Sequence, residues 1–115
     1  MKASELRIGN YVKTNHDFVI KSYSAEGLYN IVKRIDEYKP IPLTEEWLLK
    51  FGLKQSNTDK KRFYILGTDI YIFNESKIFF NAGSSNLSIQ LYYVHQLQNL
   101  YFALTNEELT YEQQK

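Results

Sequence analysis

The sequence contains no cysteine, and its other scarce residues also restrict what the protein can be. Without cysteine there is no disulfide framework, no thiolate metal site and no thiol nucleophile. Only 2 prolines and 5 glycines occur among 115 residues, which argues against a disordered chain. The apolar runs are far shorter than the roughly 20 residues of a membrane helix, and residues 1–7 lack the apolar core of a signal peptide. We therefore expect a cytoplasmic protein that does not contact a membrane.

Hydrophobic and aromatic residues are plentiful. They make up 43% and 16% of the chain, with 10 tyrosines and 7 phenylalanines. A chain of this length buries about 65% of the surface of its unfolded state. We therefore expect residues 1–115 to form a single domain with a core that needs no disulfide or metal.

Positive charge is concentrated in the first half of the chain. Residues 1–62 hold 12 basic and 8 acidic side chains, whereas residues 63–115 hold 2 basic and 5 acidic ones. A nucleic-acid contact would therefore lie on the first half. The densest basic group consists of Lys54, Lys60, Lys61 and Arg62. It either solvates a loop or contacts phosphate groups.

Three segments near the N-terminus have the pattern of short strands. Residues 11–14, 17–23 and 28–35 alternate between apolar and polar positions and are separated by glycine and asparagine turns. Three short antiparallel strands at this spacing predict a small meander or a barrel-like part.

A helix is predicted at 45–51, where several local signals agree. Thr44 is a suitable N-cap, and Leu43 and Leu48 have the spacing of a hydrophobic staple. Gly52 is a natural stop. The residues expected to pack against the core are Leu48, Leu49 and Trp47.

The second half of the chain predicts strands followed by one more helix. The strands are expected at 62–66, 70–73, 77–80 and 87–93, with a hairpin loop at 81–86. A helical stripe at 94–104 consists of Val94, Leu97, Tyr101 and Leu104. The chain as a whole predicts an α+β fold with an antiparallel sheet of about six to seven short strands and helices near 45–51 and 94–104.

The C-terminal strands can present two different faces. One face would be apolar and would consist of Phe63, Ile65, Ile70, Ile72, Ile78, Phe80, Leu87, Ile89 and Leu91. The opposite face would carry five aromatic rings, here called the five-ring face: Tyr64, Tyr71, Phe73, Phe79 and Tyr92. Other elements of the chain cover these rings, or a partner protein does, or nucleic-acid bases stack on them. Because Lys77 and Lys115 are the only cations after residue 62, a protein partner is favoured over a nucleic acid.

No pattern of catalytic or metal-binding residues is found. His16 falls in a predicted turn, and His95 has no second histidine at helical spacing. The acidic pairs lie at adjacent positions, which on a helix point about 100° apart, so they do not converge on one atom. The sequence therefore predicts no catalytic residue, no metal, no cofactor and no enzymatic activity.

Three stretches of the chain resemble a known family. They are ELRIGNYV at 5–12, PIPLTEEWLLKFG at 40–52 and YVHQLQNLYFALTNEEL at 93–109. They are similar to small uncharacterised proteins from the genomes and prophages of Bacteroides- and Flavobacterium-like bacteria. The family brings no known activity, so no residue role can be carried over. The resemblance implies a phage context, in which small proteins often bind host machines such as RNA-guided nucleases.

These observations favour a non-enzymatic module that binds another protein through the five-ring face. The resemblance adds that it is phage-derived and acts as an inhibitor of a bacterial defence complex. A homodimer through the same face satisfies the same physics. The alternative is an RNA- or DNA-binding module that uses the basic N-terminal half, with Lys54, Lys60, Lys61 and Arg62 as its contacts.

Overall fold

A computed structural model describes residues 1–83 and 87–109, which form an α+β fold. The helices are α1 (Ala25–Lys33), α2 (Glu45–Lys50) and α3 (Val94–Thr105). The strands are β1 (Tyr11–Thr14), β2 (Val19–Lys21), β3 (Tyr38–Lys39), β4 (Lys54–Gln55), β5 (Arg62–Tyr64), β6 (Ile70–Asn74), β7 (Ile78–Ala82) and β8 (Leu87–Leu91). The predicted class and the antiparallel pairing are confirmed. The described strands form two open sheets and no closed barrel. The prediction of a barrel-like N-terminal part was therefore wrong.

The fold divides into two compact units. The first unit combines Met1–Pro42 with Tyr93–Leu109, and the second contains Leu43–Tyr92. The first therefore holds β1 to β3 with α1 and α3, and the second holds α2 with β4 to β8. The single-domain prediction stays a prediction.

The sheet of the first unit has the order β2-β1-β3, with β1 antiparallel to both neighbours. Val12 of β1 lies opposite Ile20 of β2, and Lys13 lies opposite Lys39 of β3. Val12 is fully buried. The predicted strand at 11–14 is confirmed, whereas the one at 17–23 is shorter than expected.

Residues 28–35, predicted as a strand, belong largely to helix α1. Ser24 caps this helix, because its Oγ accepts a hydrogen bond from the Gly27 N–H at 3.1 Å. The strand prediction relied on alternation, but the apolar residues here also have helical spacing: Leu28, Ile31, Val32 and Ile35. Ile31 is buried as the centre of that stripe. The strand prediction was therefore wrong.

Helix α3 is joined to the N-terminal segment by side-chain hydrogen bonds. The buried Gln98 side chain accepts from the Tyr11 N–H at 2.9 Å and donates to the Gly9 carbonyl at 2.8 Å. Asn99 donates through Nδ2 to the Glu5 carbonyl at 2.7 Å and accepts from Arg7 Nε at 3.1 Å. The amide side chains of α3 thus satisfy backbone groups that no strand satisfies.

Arg7 completes this network at the end of α3. Its guanidinium donates to both carboxylate oxygens of Glu108, at 2.7 and 3.3 Å, and lies 4.2 Å from the ring centroid of Phe102. Residues of two segments that are distant in the sequence, 5–12 and 93–109, therefore meet in this network.

The second unit contains a five-stranded antiparallel sheet with the order β4-β5-β6-β7-β8. The residues buried on its predicted apolar face are Phe63, Ile65, Ile70, Ile72, Phe80 and Leu91. Ile78 is half-buried and Ile89 on the edge strand β8 is exposed. The side chain of Leu87 and residues 84–86 of the predicted hairpin loop lie outside the described residues.

The helix predicted at 45–51 is confirmed as α2. The Thr44 side chain accepts from the Trp47 N–H at 3.5 Å, as its N-cap position predicts. Trp47 and Leu48 are buried, whereas Leu49 is exposed, so its packing against the core was wrongly predicted. Leu104 of α3, the last residue of the predicted stripe at 94–104, is likewise exposed.

Candidate functional site

The five-ring face lies on the side of the second sheet opposite its buried apolar residues. Tyr64 of β5 is directly opposite Tyr71 of β6, and Phe73 of β6 is directly opposite Phe79 of β7. Tyr92 follows the last residue of β8. Tyr64 and Tyr92 are 38% and 57% exposed, and the other three rings are half-buried. All five rings therefore keep some contact with solvent.

A groove of about 300 Å³ crosses this face. It is lined by Arg62, Tyr71, Phe73, Phe79, Asn81 and Ser88. The Arg62 guanidinium lies 5.3 Å from the ring centroid of Tyr71, within cation–π range. The lining residues thus supply aromatic surfaces, one guanidinium, one amide and the hydroxyl groups of Tyr71 and Ser88.

Sequence reasoning missed Asn81 and Ser88. Asn81 follows Phe79 by two residues on β7, so strand alternation alone places both on one face. Ser88 lies directly opposite Asn81 in the sheet, but that pairing depends on the β7–β8 register. The alternation was available in the sequence, whereas the register was not.

Two of the four basic residues of the alternative site, Lys54 and Arg62, lie on the five-ring face. Lys54 of β4 lies opposite Tyr64. Arg62 of β5 lies opposite Phe73, so the face carries two cations that sequence reasoning did not place there. Lys60 is exposed in the preceding loop.

Two of these cations have acidic partners. Lys61 Nζ donates a hydrogen bond of 2.9 Å to Glu75 Oε1, and this bond raises the pKa of Lys61. Arg62 Nε lies 3.3 Å from Asp59 Oδ2 but has no well-aligned hydrogen bond to it. Because the carboxylates offset part of the positive charge, this cluster is weaker as a phosphate site than its sequence predicts.

The two histidines lie in different surroundings. His16 is exposed in a turn and lines a second groove, of about 310 Å³, in the first unit. His95 is fully buried, and its Nε2 lies 3.1 Å from Oε1 of Glu5. Its Nδ1 is buried without a hydrogen-bond partner, and its ring stacks on Tyr93 with a centroid distance of 5.9 Å. His95 is thus a core residue whose hydrogen-bond partner, Glu5, is close in space and 90 positions away in the sequence.

Residues 1–83 and 87–109 contain no group of three or more His, Cys, Asp or Glu side chains that could hold a metal ion. In the same part of the chain, no helix combines the length and the apolar character needed to cross a bilayer.

Comparison with known proteins adds no relative. No family model matches the chain, and neither a curated protein nor a solved structure matches it.

Proposed function

We propose that the chain is a non-enzymatic, cytoplasmic binding protein that recognises another protein through the five-ring face. The observation that supports this most is that all five rings lie on one sheet face and keep solvent contact. Tyrosine and phenylalanine are enriched in the cores of protein interfaces. Exposed apolar patches on soluble proteins usually mark interaction sites.

The mixed polarity of the groove supports a protein partner. Aromatic residues and arginine dominate the residues that contribute most to binding, and here Arg62 and Tyr71 are already in contact. A partner that inserts an apolar side chain over Phe73 and Phe79 would leave Arg62 and Asn81 to bind a carboxylate or a backbone carbonyl. This proposal fits the resemblance to prophage proteins, within which the partner would be a bacterial defence complex such as an RNA-guided nuclease.

Photo-crosslinking in a Bacteroides-like host tests the proposal. A benzophenone amino acid at Tyr92 should give adducts that protease removes and nuclease does not. The matched control is the same substitution at Tyr29, an exposed tyrosine of α1 in the first unit. Equal adducts at both positions, or none at Tyr92, would contradict a binding role for the five-ring face.

A double variant tests the energetics once the cross-linked protein is purified. Tyr64→Ser with Tyr92→Ser should weaken binding by roughly 30-fold or more, because one central interface aromatic contributes about 2 kcal/mol and every 1.4 kcal/mol is about tenfold in affinity. Tyr29→Ser should leave the affinity unchanged. Both variants should melt near the wild-type temperature, because the substituted rings are already exposed.

The RNA- or DNA-binding alternative is favoured by one specific observation. Lys54 and Arg62 lie opposite Tyr64 and Phe73 on the same face, as in surfaces that stack bases and bind phosphates. In that case a fluorescent single-stranded oligonucleotide should bind the purified protein, and its affinity should fall steeply with salt. The affinity should also fall in Arg62→Gln. Binding of this kind would replace the protein proposal.

A further inference from the structure

The outer edge of strand β2 is unpaired among the described residues. The sheet order leaves β2 in contact with β1 alone. The Ser22 N–H donates to the Asn10 carbonyl at 3.1 Å. The Thr14 N–H donates to the Phe18 carbonyl at 2.9 Å. Because hydrogen-bonded pairs alternate along an antiparallel ladder, the intervening Val19 directs its N–H and C=O away from β1.

The side chains along this edge are apolar and exposed. Phe18 is 68% exposed and Val19 is 50% exposed, and Ile20 and Tyr23 are exposed as well. Edge strands that remain unpaired usually carry charges, proline or a bulge that blocks another strand. Here the only charge within β2 is Lys21 at its end. The β2 edge therefore has the properties of a surface that pairs with another strand.

We infer that this surface pairs with β2 of a second copy of the chain, antiparallel, with Val19 opposite Val19. A two-fold axis allows three registers, centred on Val19, Ile20 or Lys21. The register centred on Lys21 places two ammonium groups opposite each other, which is unfavourable. The one centred on Ile20 places Lys21 against the apolar Val19.

Only the register centred on Val19 is complementary at each position. It places Phe18 against Ile20 of the second copy, so two exposed apolar side chains cover each other. It also brings Asp17, in the turn before β2, near Lys21 of the second copy, so opposite charges meet. Each pairing occurs twice because of the two-fold axis, and the two Val19 residues exchange two backbone hydrogen bonds.

The position of Asp17 supports this pairing. Its carboxylate is exposed and lies 3.4 Å from Lys13 Nζ and 3.5 Å from Lys39 Nζ. In the ladder, Lys13 lies opposite both Val19 and Lys39, so these side chains share one sheet face with Lys21. The Asp17 carboxylate therefore lies on the sheet face that carries Lys21, on the side of β1 and β3, and its side chain stays 69% exposed. The inference uses the first unit alone and does not depend on the five-ring face.

Cysteine substitution tests the register directly, because the full chain contains no cysteine. Hydrogen-bonded residues on antiparallel strands have Cα atoms about 5.5 Å apart, within the range of a disulfide. Val19→Cys should therefore form a covalent dimer under mild oxidation much faster than Ile20→Cys or Lys21→Cys. Equal rates at the three positions, or fastest cross-linking at position 20 or 21, would overturn the inference.

Sedimentation of the 115-residue chain tests the assembly without cross-linking. The wild type should be dimeric at high concentration, and Lys21→Asp should shift it towards monomer. Adding Asp17→Lys to Lys21→Asp should restore the dimer. Tyr64→Ser with Tyr92→Ser should leave it intact, and dissociation by that pair would assign the dimer to the five-ring face instead. A wild type that stays monomeric at all concentrations would also overturn the inference.

Discussion

The side chain of Gln98 makes hydrogen bonds to backbone groups that a neighbouring strand would usually make. This side chain accepts from the N–H of Tyr11 in a buried hydrogen bond and donates to the carbonyl of Gly9 in a partly buried one. Methionine has nearly the same shape but neither hydrogen-bonding group. Gln98→Met should therefore lower the free energy of unfolding by about 2 kcal/mol or more, because it leaves one buried and one partly buried backbone group unsatisfied. Urea denaturation measures this loss, and a change below about half a kcal/mol would contradict the role assigned to Gln98.

Glu5 makes the stability of the first unit depend on pH. The Lys2 N–H and then His95 hydrogen-bond to its carboxylate and hold the pKa of Glu5 below its usual range. A carboxyl with a depressed pKa in the folded state stabilises the fold above its unfolded-state pKa, about 4.3 for glutamate. That stabilisation is lost as the pH falls through the lowered pKa of folded Glu5.

The variant Glu5→Gln separates this contribution from the general effect of acid. It should be less stable than the wild type at neutral pH, and the difference should shrink as the pH falls below the glutamate range. Denaturation at a series of pH values measures both curves. Parallel curves down to the lowest pH would show that the Glu5 carboxylate does not contribute.

At the scale of single elements, α2 offers adjacent leucines in opposite environments. Leu48 is 0% exposed and Leu49 is 46% exposed. Leu48→Ala should cost about 2–5 kcal/mol of stability, because it removes buried methyl groups and leaves a cavity. Leu49→Ala should cost far less and is the matched control. Equal losses would mean that the helix has a different phase.

Helix α1 depends on its cap. The Ser24 Oγ satisfies the Gly27 N–H, one of the donors that a helix start leaves unpaired. Ser24→Ala should therefore cost about 1 kcal/mol, whereas Ser24→Asp should retain the cap. Thermal unfolding compares the two variants, and equal melting temperatures would show that the cap contributes nothing.

The two helices show why one was predictable and the other was not. The N-cap Thr44, the staple spacing of Leu43 and Leu48 and the stop signal at Gly52 all indicate the helix α2, and the error in its prediction was the burial of Leu49. In α1, the residues Glu26-Gly27 resemble a turn, and the apolar positions that follow fit both a strand and a helix. Packing of Ile31 decides between them, and packing is not visible in a single sequence.

The part of the candidate site that follows from the alternation of side chains along each strand was predictable from the sequence. This alternation along β5 to β7 places Tyr64, Tyr71, Phe73 and Phe79 on the face opposite the buried residues. Arg62 follows from the same alternation, because it precedes Tyr64 by two residues on β5. Lys54 and Ser88 depend on cross-strand register, which loops and turns set. The sequence-based prediction grouped Lys54 and Arg62 with other basic residues and so separated them from the rings that they lie opposite.

At the scale of the whole molecule, the first unit is built from two distant segments. Residues of Met1–Pro42 and Tyr93–Leu109 meet in the Arg7 and Gln98 network. The second unit occupies the sequence between them. Within it, the N–H of Leu43 donates to the carbonyl of Tyr92 at 3.0 Å, so its two ends are adjacent.

This arrangement favours folding of the second unit before the first. During synthesis, the five strands of the second unit are complete before α3 has been made. Strand β1, by contrast, bonds through Tyr11 to Gln98 of α3, which is 87 positions later in the sequence. Folding of the second unit first brings Leu43 and Tyr92 together and shortens the loop that the first unit must close, which lowers its entropic cost. We expect Ile72→Ala, in the core of the second unit, to slow folding of the first unit as well. Gln98→Met should leave the folding rate of the second unit unchanged in pulsed hydrogen exchange, so the dependence would run in one direction along the chain.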